Sequence, residues 1–220
     1  MESIAVLIPC YNEEKTIKKV IQEIKKILPN AKIYVGDNNS NDRTATIARE
    51  EQVTVIEEKK QGKSNMVKKM FKEIDSDFYV LIDGDDTYYP EDIITCVNVA
   101  VEDDAELVIG NRLYEYKNCK KKKIYSLGNW LANKILNMRY KSEIEDVMSG
   151  LRVLSRKIAK EIKIESEGFE LETEITVFAI KHKYPIASVP IRYRSRPEGS
   201  KSKLKTFKDG LKISKAVLKM

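Results

Sequence analysis

The chain has 220 residues, 42% hydrophobic and 34% charged, with a formal net charge of +6. That balance suits one large domain with a substantial core and excludes a disordered or fibrous chain. No run reaches the roughly 18 apolar residues that would cross a bilayer, and no basic-then-apolar leader opens the chain, so the expectation is a cytoplasmic protein that does not span a membrane.

Three well-separated cysteines, Cys10, Cys96 and Cys119, suggest reduced thiols and neither a disulfide framework nor a zinc cluster. The positive charge is uneven. Residues 201–220 hold seven Lys and one Asp, so the other 200 residues sum to zero, and a second basic knot runs from Lys120 to Lys123. Localised positive charge points to an anionic surface or a phosphorylated substrate.

In chain order, Ser3 to Ile8 reads as a strand, and Asn12 to Leu28 as a helix with an apolar stripe at Ile17, Val20, Ile21, Ile24, Ile27 and Leu28. Pro29-Asn30 ends it. Strands follow at Lys32–Val35, Val53–Ile56, Phe78–Ile82 and Leu107–Ile109, with helices at Asn41–Glu50, from the Gly62 loop through Phe71, and at Glu91–Val101. Short apolar strands alternating with amphipathic helices predict an α/β fold whose central sheet is mostly parallel and covered by helices on both faces. Further on, Ile124–Leu136 reads as an amphipathic helix and Ile186–Tyr193 as a late strand. Arg194–Lys203 is a basic loop and Leu204–Leu218 an amphipathic, Lys-rich segment. His182, the sole histidine, reads as a surface residue after a helix.

In such sheets ligands bind beyond the carboxyl ends of the strands. Three polar segments fall there: PCYNEE (Pro9–Glu14), GDNNSNDRT (Gly36–Thr44) and DGDD (Asp83–Asp86). Asp37, Asn38 and Asn39 offer groups suited to a base or ribose edge. Asp83, Asp85 and Asp86 crowd negative charge that something must offset. Asp83 and Asp85 are hard oxygen ligands suited to Mg²⁺ or Mn²⁺ bridging to a diphosphate, and Asp86 can be a simple turn residue.

The ordered series PCYNE, VGDNNSNDRT, GKSN, DGDD and SGLR resembles the family 2 inverting glycosyltransferases of GT-A fold over nearly the whole chain. GNRLYEY, DVMSGLRVLSR, GFELETEI and VPIRYRSRPEGSKSKLKTFKDG resemble most closely the dolichol-phosphate mannose synthase-like, polyprenyl-phosphate branch. The resemblance implies a nucleotide-sugar donor, Mg²⁺ or Mn²⁺, and a polyprenyl-phosphate acceptor. It implies a catalytic domain over residues 1–203, followed by a basic membrane-surface helix at 204–220. It places Pro9, Tyr11 and Glu13 along the nucleotide, Asp37 with Asn38 on the base, and Lys63 and Gly84 beside the donor. Asp83 and Asp85 form the metal pair. Arg112, Arg196 and Lys201 or Lys203 contact phosphates, and Asp146 faces the site. Thr87 stands where those enzymes carry glutamine.

A polyprenyl phosphate is largely ionised at neutral pH, so it needs a cationic cradle more than a base, and Arg112, Arg152, Arg194 and Arg196 are available for one. A hydroxyl acceptor would instead need a base, for which Glu170, Glu172 and Glu174 are the candidates. On a helix the first and last of these share a face and Glu172 points elsewhere. Helix 124–136, with Tyr125 and Trp130 beside the KKKK knot, and the segment 204–218 fit peripheral attachment at the inner membrane face. A sugar-phosphate nucleotidyltransferase would open with a Gly-rich loop, which PCYNEE lacks. A nucleic-acid-binding module would leave Asp83 and Asp85 without purpose.

Overall fold

The computed structural model describes residues 2–112, 123–166 and 170–198, and the side chains of 123–128 are outside that description. Seven strands form one sheet: β1 (Ile4–Cys10), β2 (Lys32–Asp37), β3 (Thr54–Glu57), β4 (Phe78–Leu81), β5 (Leu107–Asn111), β6 (Arg152–Ser155) and β7 (Ile186–Pro190). The helices are α1 (Ile17–Ile27), α2 (Thr44–Glu50), α3 (Lys63–Glu73), α4 (Glu91–Glu102), α5 (Lys123–Tyr140), α6 (Arg156–Glu161) and α7 (Leu171–Lys181).

The strand order is β3-β2-β1-β4-β6-β5-β7. Every pairing is parallel except those of β6, which runs antiparallel to both β4 and β5. The mostly parallel sheet expected from the sequence is thus present. The strand at 152–155 was missed because RVLS opens on a charged residue and lacks a long apolar run.

Side-chain alternation builds two cores. On β1, Val6, Ile8 and Cys10 join one cluster with α1 and α4, whereas Ala5 and Leu7 join a second with α3 and α7. β4 splits the same way, Val80 to the first and Tyr79 with Leu81 to the second. The α1 stripe of Ile17, Val20, Ile21 and Ile24 is buried, and each such aliphatic contributes roughly 1.5–3 kcal/mol relative to exposure.

α7 differs. Eight of its eleven residues are buried, among them Glu172, Thr173 and Glu174, so it is a core helix without a solvated stripe. Both carboxylates therefore need internal partners. Glu172, expected to point away from Glu170 and Glu174, is buried like Glu174.

The antiparallel β6 decides where the site lies. The segment before β6 lands at the same sheet edge as the ends of β1, β2, β4, β5 and β7. Asp146, Ser149 and Gly150 are thereby carried to the edge that bears Asp37, Asp83 and Asp85.

Candidate active site

At the end of β2, Asp37 pairs in register with Cys10 of β1. Its Oδ2 accepts the Ser40 N–H at 3.2 Å, while Oδ1 is buried with no hydrogen-bond partner among the described residues. A buried acceptor in that state is costly unless a ligand donates to it. Asn38 is different. Its Nδ2 donates to the Glu58 and Lys60 carbonyls at 3.0 and 2.9 Å, and its Oδ1 accepts the Gly62 N–H at 2.7 Å. Both ends of the amide hold the β3–α3 loop, which corrects the expectation that Asn38 reads a base. Pro9 and Tyr11 sit half-buried at the rim.

The acidic cluster after β4 has protein cations for all three carboxylates. Lys63 Nζ reaches Asp83 Oδ1 at 2.5 Å and Glu172 Oε1 at 2.7 Å. Arg196 lies 2.6 Å from Asp85 Oδ2 and 3.4 Å from Glu13 Oε1. Asp86 accepts from Lys19 at 2.8 Å and from the Arg194 guanidinium. The charge crowding that suggested a bound ion is thus already offset by four side-chain cations. Asp86, φ 60°, is buried and doubly paired.

Burial pushes Asp83 upward, but Lys63 outweighs it and holds that carboxyl below the ordinary range. Asp85 moves the other way: burial, reinforced by the Asp83 charge, raises it despite Arg196. Lys63 loses to burial and gains more from Asp83 and Glu172, so its ammonium is firmly charged. Thr87 N–H and Oγ1 donate to Asp85 Oδ1 at 3.1 and 2.6 Å. The residue in the glutamine position therefore orients Asp85.

Two glycines permit this closeness. A Cβ on Gly84 would stand 2.5 Å from Cys10 Sγ, and one on Gly150 would stand 2.4 Å from Asp83 Oδ2.

Across the sheet, β5 ends at Asn111 and presents Arg112. Asp146 is fully buried and grips it: Arg112 Nε and Nη2 donate to the two carboxylate oxygens at 2.9 and 2.8 Å, and the Arg112 N–H adds a third bond at 2.9 Å. Tyr193 lies 5.3 Å beneath the guanidinium and meets Tyr88 edge-on. Burial would lower the Arg112 pKa, but the Asp146 charge more than reverses this. Asp146, expected to face the site, is therefore buried behind Arg112.

Two expected cradle residues need correction. Arg152 is wholly buried and donates to the Ser149 and Val147 carbonyls and to Thr176 Oγ1. Burial lowers its pKa to about 10, which still leaves it charged at neutral pH. Arg194 is committed to Asp86 and Glu23. Arg112 and Arg196 remain the guanidiniums at the edge.

The base candidates are also engaged: Glu172 by Lys63, and Glu174 by the N–H groups of Glu165 and Ser166 at 2.6 and 3.1 Å. Glu170 is the N-cap of α7. His182 is an exposed cap at the other end, stacked on Phe178. Lys201, Lys203, Cys119, most of the Lys120–Lys123 knot and the segment 204–220 lie outside the described residues.

Sequence reading missed how Asp146 is placed. Asn129, Asn133 and Asn137 recur every four residues along α5. Asn129 Nδ2 donates to Asp146 Oδ1 at 2.8 Å, Asn133 Oδ1 accepts the Val147 N–H at 2.9 Å, and Asn137 pairs with both the N–H and the carbonyl of Ile144 at 2.9 Å. Asparagine at i, i+4 and i+8 in a helix was the available signal, because it is a poor helix former and one face is repeated.

Open α/β sheets bind ligands at their carboxyl edge, and here that edge carries an acidic pair with paired cations. The profile of Glycosyl transferase family 2 matches residues 5–163, and the chain belongs to that family. The fold is the GT-A arrangement. Glucosyl-3-phosphoglycerate synthase of Mycobacterium tuberculosis superposes with a TM-score of 0.76 at 19% identity, covering 99% of this chain and 78% of that one. A dolichyl-phosphate hexose transferase of Haloferax volcanii is 28% identical over 219 residues, covering all of this chain and 94% of the relative. Protein RfbJ of Shigella flexneri is 44% identical over 110 residues, half of this chain and 85% of that protein. A dolichol-phosphate mannosyltransferase of Pyrococcus furiosus is 29% identical over 214 residues, 92% of this chain and 59% of that one.

Proposed function

We propose that this family 2 glycosyltransferase moves a hexose, with inversion, from a UDP- or GDP-linked donor to a polyprenyl phosphate. The observation that carries the reading is the convergence of a buried, unpartnered Asp37 oxygen, the Asp83–Asp85 pair and the clamped Arg112 at one sheet edge. Relatives named for dolichyl-phosphate transfer span nearly the whole chain, and a structural neighbour was crystallised with Mn²⁺ and UDP-glucose.

Two hard carboxylates fit Mg²⁺ or Mn²⁺, ions usually bound through one or two carboxylates plus substrate phosphates. Among the described residues no group of three His, Cys, Asp or Glu side chains gathers to enclose a metal, so the donor diphosphate would complete the shell. When bound, the metal supplies Lewis-acid stabilisation of the departing diphosphate.

The chain's own residues do the rest. Asp37 Oδ1 accepts from a base N–H. Thr87 fixes Asp85, and Lys63 balances Asp83 against Glu172. Arg112 and Arg196 bind phosphate oxygens, with Arg112 preorganised by Asp146 so that little is lost in ordering it. An acceptor phosphate, with second pKa about 6, brings its own nucleophilic oxygen and needs no proton removed. Glu172 and Glu174, already bound within the protein, suit that chemistry better than a hydroxyl acceptor.

No described helix is long and apolar enough to cross a membrane. α5 nevertheless exposes Trp130 (55%), Leu131 and Met138 (74%), with Lys134 against the Trp130 ring at 5.0 Å. An apolar face with basic neighbours suits a bilayer surface at the cytoplasmic side, where a lipid acceptor resides.

The test is a panel of UDP- and GDP-sugars with a short-chain polyprenyl phosphate and Mn²⁺, read by product mass. A hexosyl-phospholipid formed with metal and lost on chelation is expected. Transfer to saccharide hydroxyls, with polyprenyl phosphate inert, would overturn the acceptor assignment.

A further inference from the structure

After β7 the chain runs back across the acidic loop as IRYRSR. Arg192, Arg194 and Arg196 alternate, so they share one side of this strap. Each meets two carboxylates: Arg192 meets Asp92 and Glu91, Arg194 meets Asp86 and Glu23, and Arg196 meets Asp85 and Glu13. Tyr193 takes the other side, bridging to Tyr88 and supporting Arg112. The three contacts are unequal. Arg192 is half-exposed: beside the exposed Glu91 it holds Asp92 through its N–H at 2.7 Å and through Nε and Nη2 at 3.0 and 2.9 Å, and its own exposure weakens that pair. Arg194 is the firm one. Its Nε donates to the Asp86 carbonyl at 2.8 Å, its guanidinium meets the Asp86 carboxylate, and its N–H donates to the Thr87 carbonyl at 2.9 Å. Arg192 and Arg194 share the Tyr89 ring, each at 4.6 Å, so burial of Asp86 is what sets Arg194 apart.

We propose that Asp86 is a positioning residue for the transfer reaction: it clasps Arg194, and the clasp sets Arg196 over Asp85 and Glu13, two residues further along. This rests on the transferase reading above, in which Arg196 binds donor or acceptor phosphate. Asp86 itself touches no substrate. It is buried to 4% exposure, holds a left-handed φ of 60°, and carries Lys19 as a second cation, so its carboxylate is fixed before the strap docks. A third acidic residue beside the Asp83–Asp85 pair is thereby explained: it anchors the strap and leaves the pair itself to face the site.

The experiment uses the full chain and Asp86→Asn, since asparagine keeps the shape and tolerates the left-handed backbone. Hydrogen exchange at residues 193–196 is expected to speed up by about tenfold or more, with the β1 and β4 amides unchanged. Arg192→Ala, the exposed contact, is expected to change that exchange less than about twofold. The second arm is a double-mutant cycle on kcat with UDP- or GDP-sugar and polyprenyl phosphate. Arg196→Ala and Asp86→Asn each slow transfer, and Asp86→Asn costs little more once Arg196 is gone. Unchanged exchange in Asp86→Asn overturns the clasp whatever the kinetics. Faster exchange with the two substitutions multiplying in kcat overturns the positioning role. If the unmodified chain transfers nothing across the donor panel, the transferase reading fails, and the exchange arm still decides the clasp.

Discussion

The half of the sheet built from β3, β2, β1 and β4 and the half built from β6, β5 and β7 use buried polar groups in opposite ways. In the first, the interior between strands and helices is apolar, and the carboxylates cluster at the edge, where they meet Lys63, Arg194 and Arg196. In the second, charge goes deep: Arg152, Asp146, Glu172 and Glu174 are all buried, and all are spent on internal partners. One half gathers its charges at the edge. The other uses them as scaffolding, and from it Arg112, Arg194 and Arg196 reach the edge, after β5 and β7.

That contrast predicts that edge charges govern rate and deep charges govern stability. The largest effect is expected from Asp85→Asn. Transfer should fall about a thousandfold, equivalent to about 4 kcal/mol of barrier. Its melting temperature should hold or rise, because burial and the Asp83 charge already disfavour the ionised form. Parallel kinetics and thermal melts check this, and an unfolded variant would erase the distinction. Next, Arg152→Met should cost about 3 kcal/mol in urea unfolding, since the Ser149 and Val147 carbonyls lose buried donors.

The asparagine ladder sharpens the comparison within one helix. Asn137→Ala and Asn129→Ala should each cost about 1–2 kcal/mol of stability. Asn129 alone touches Asp146, so only its loss should also lower kcat by loosening Arg112. Equal effects on kcat from both would mean that α5 acts as a block.

The same division explains what could be read from the sequence. The β/α alternation through β5 rests on apolar periodicity, which is local, and the element types there emerged with ends shifted by a few residues. The motifs PCYNE, GDNN and DGDD end strands, so their convergence follows from parallel topology. β6 and the buried polar network were not legible, because a charged residue in a core looks like a surface residue until its partner is known. Arg152 reads as a phosphate ligand by type and proves to be a brace by burial. Glu172 reads as a solvated or basic group, and proves to be held by Lys63 from 109 residues away. Asn38, two-handed across a loop, makes the same point on the binding side.

The smallest effect tests how dry the apolar layer beneath α4 is. Cys96, on α4, is fully buried in the apolar cluster that α4 forms with β5, β6, β7 and α1, and burial, with a smaller contribution from Asp92, pushes its thiol up to about 12 from an ordinary value near 9. In the unfolded chain the thiol ionises near pH 9, whereas the folded chain holds the proton. Its contribution is therefore complete below pH 9, and it is lost as pH climbs from there towards 12. The difference in unfolding free energy between the unmodified chain and Cys96→Ala should narrow or reverse by about 1.4 kcal/mol per pH unit over that window. Thiol reagents at pH 8 should label Cys96 only at the rate of opening. Fast labelling of the native chain would mean that water reaches this core, and the apolar layer that both halves of the sheet share beneath α1 and α4 would not be dry.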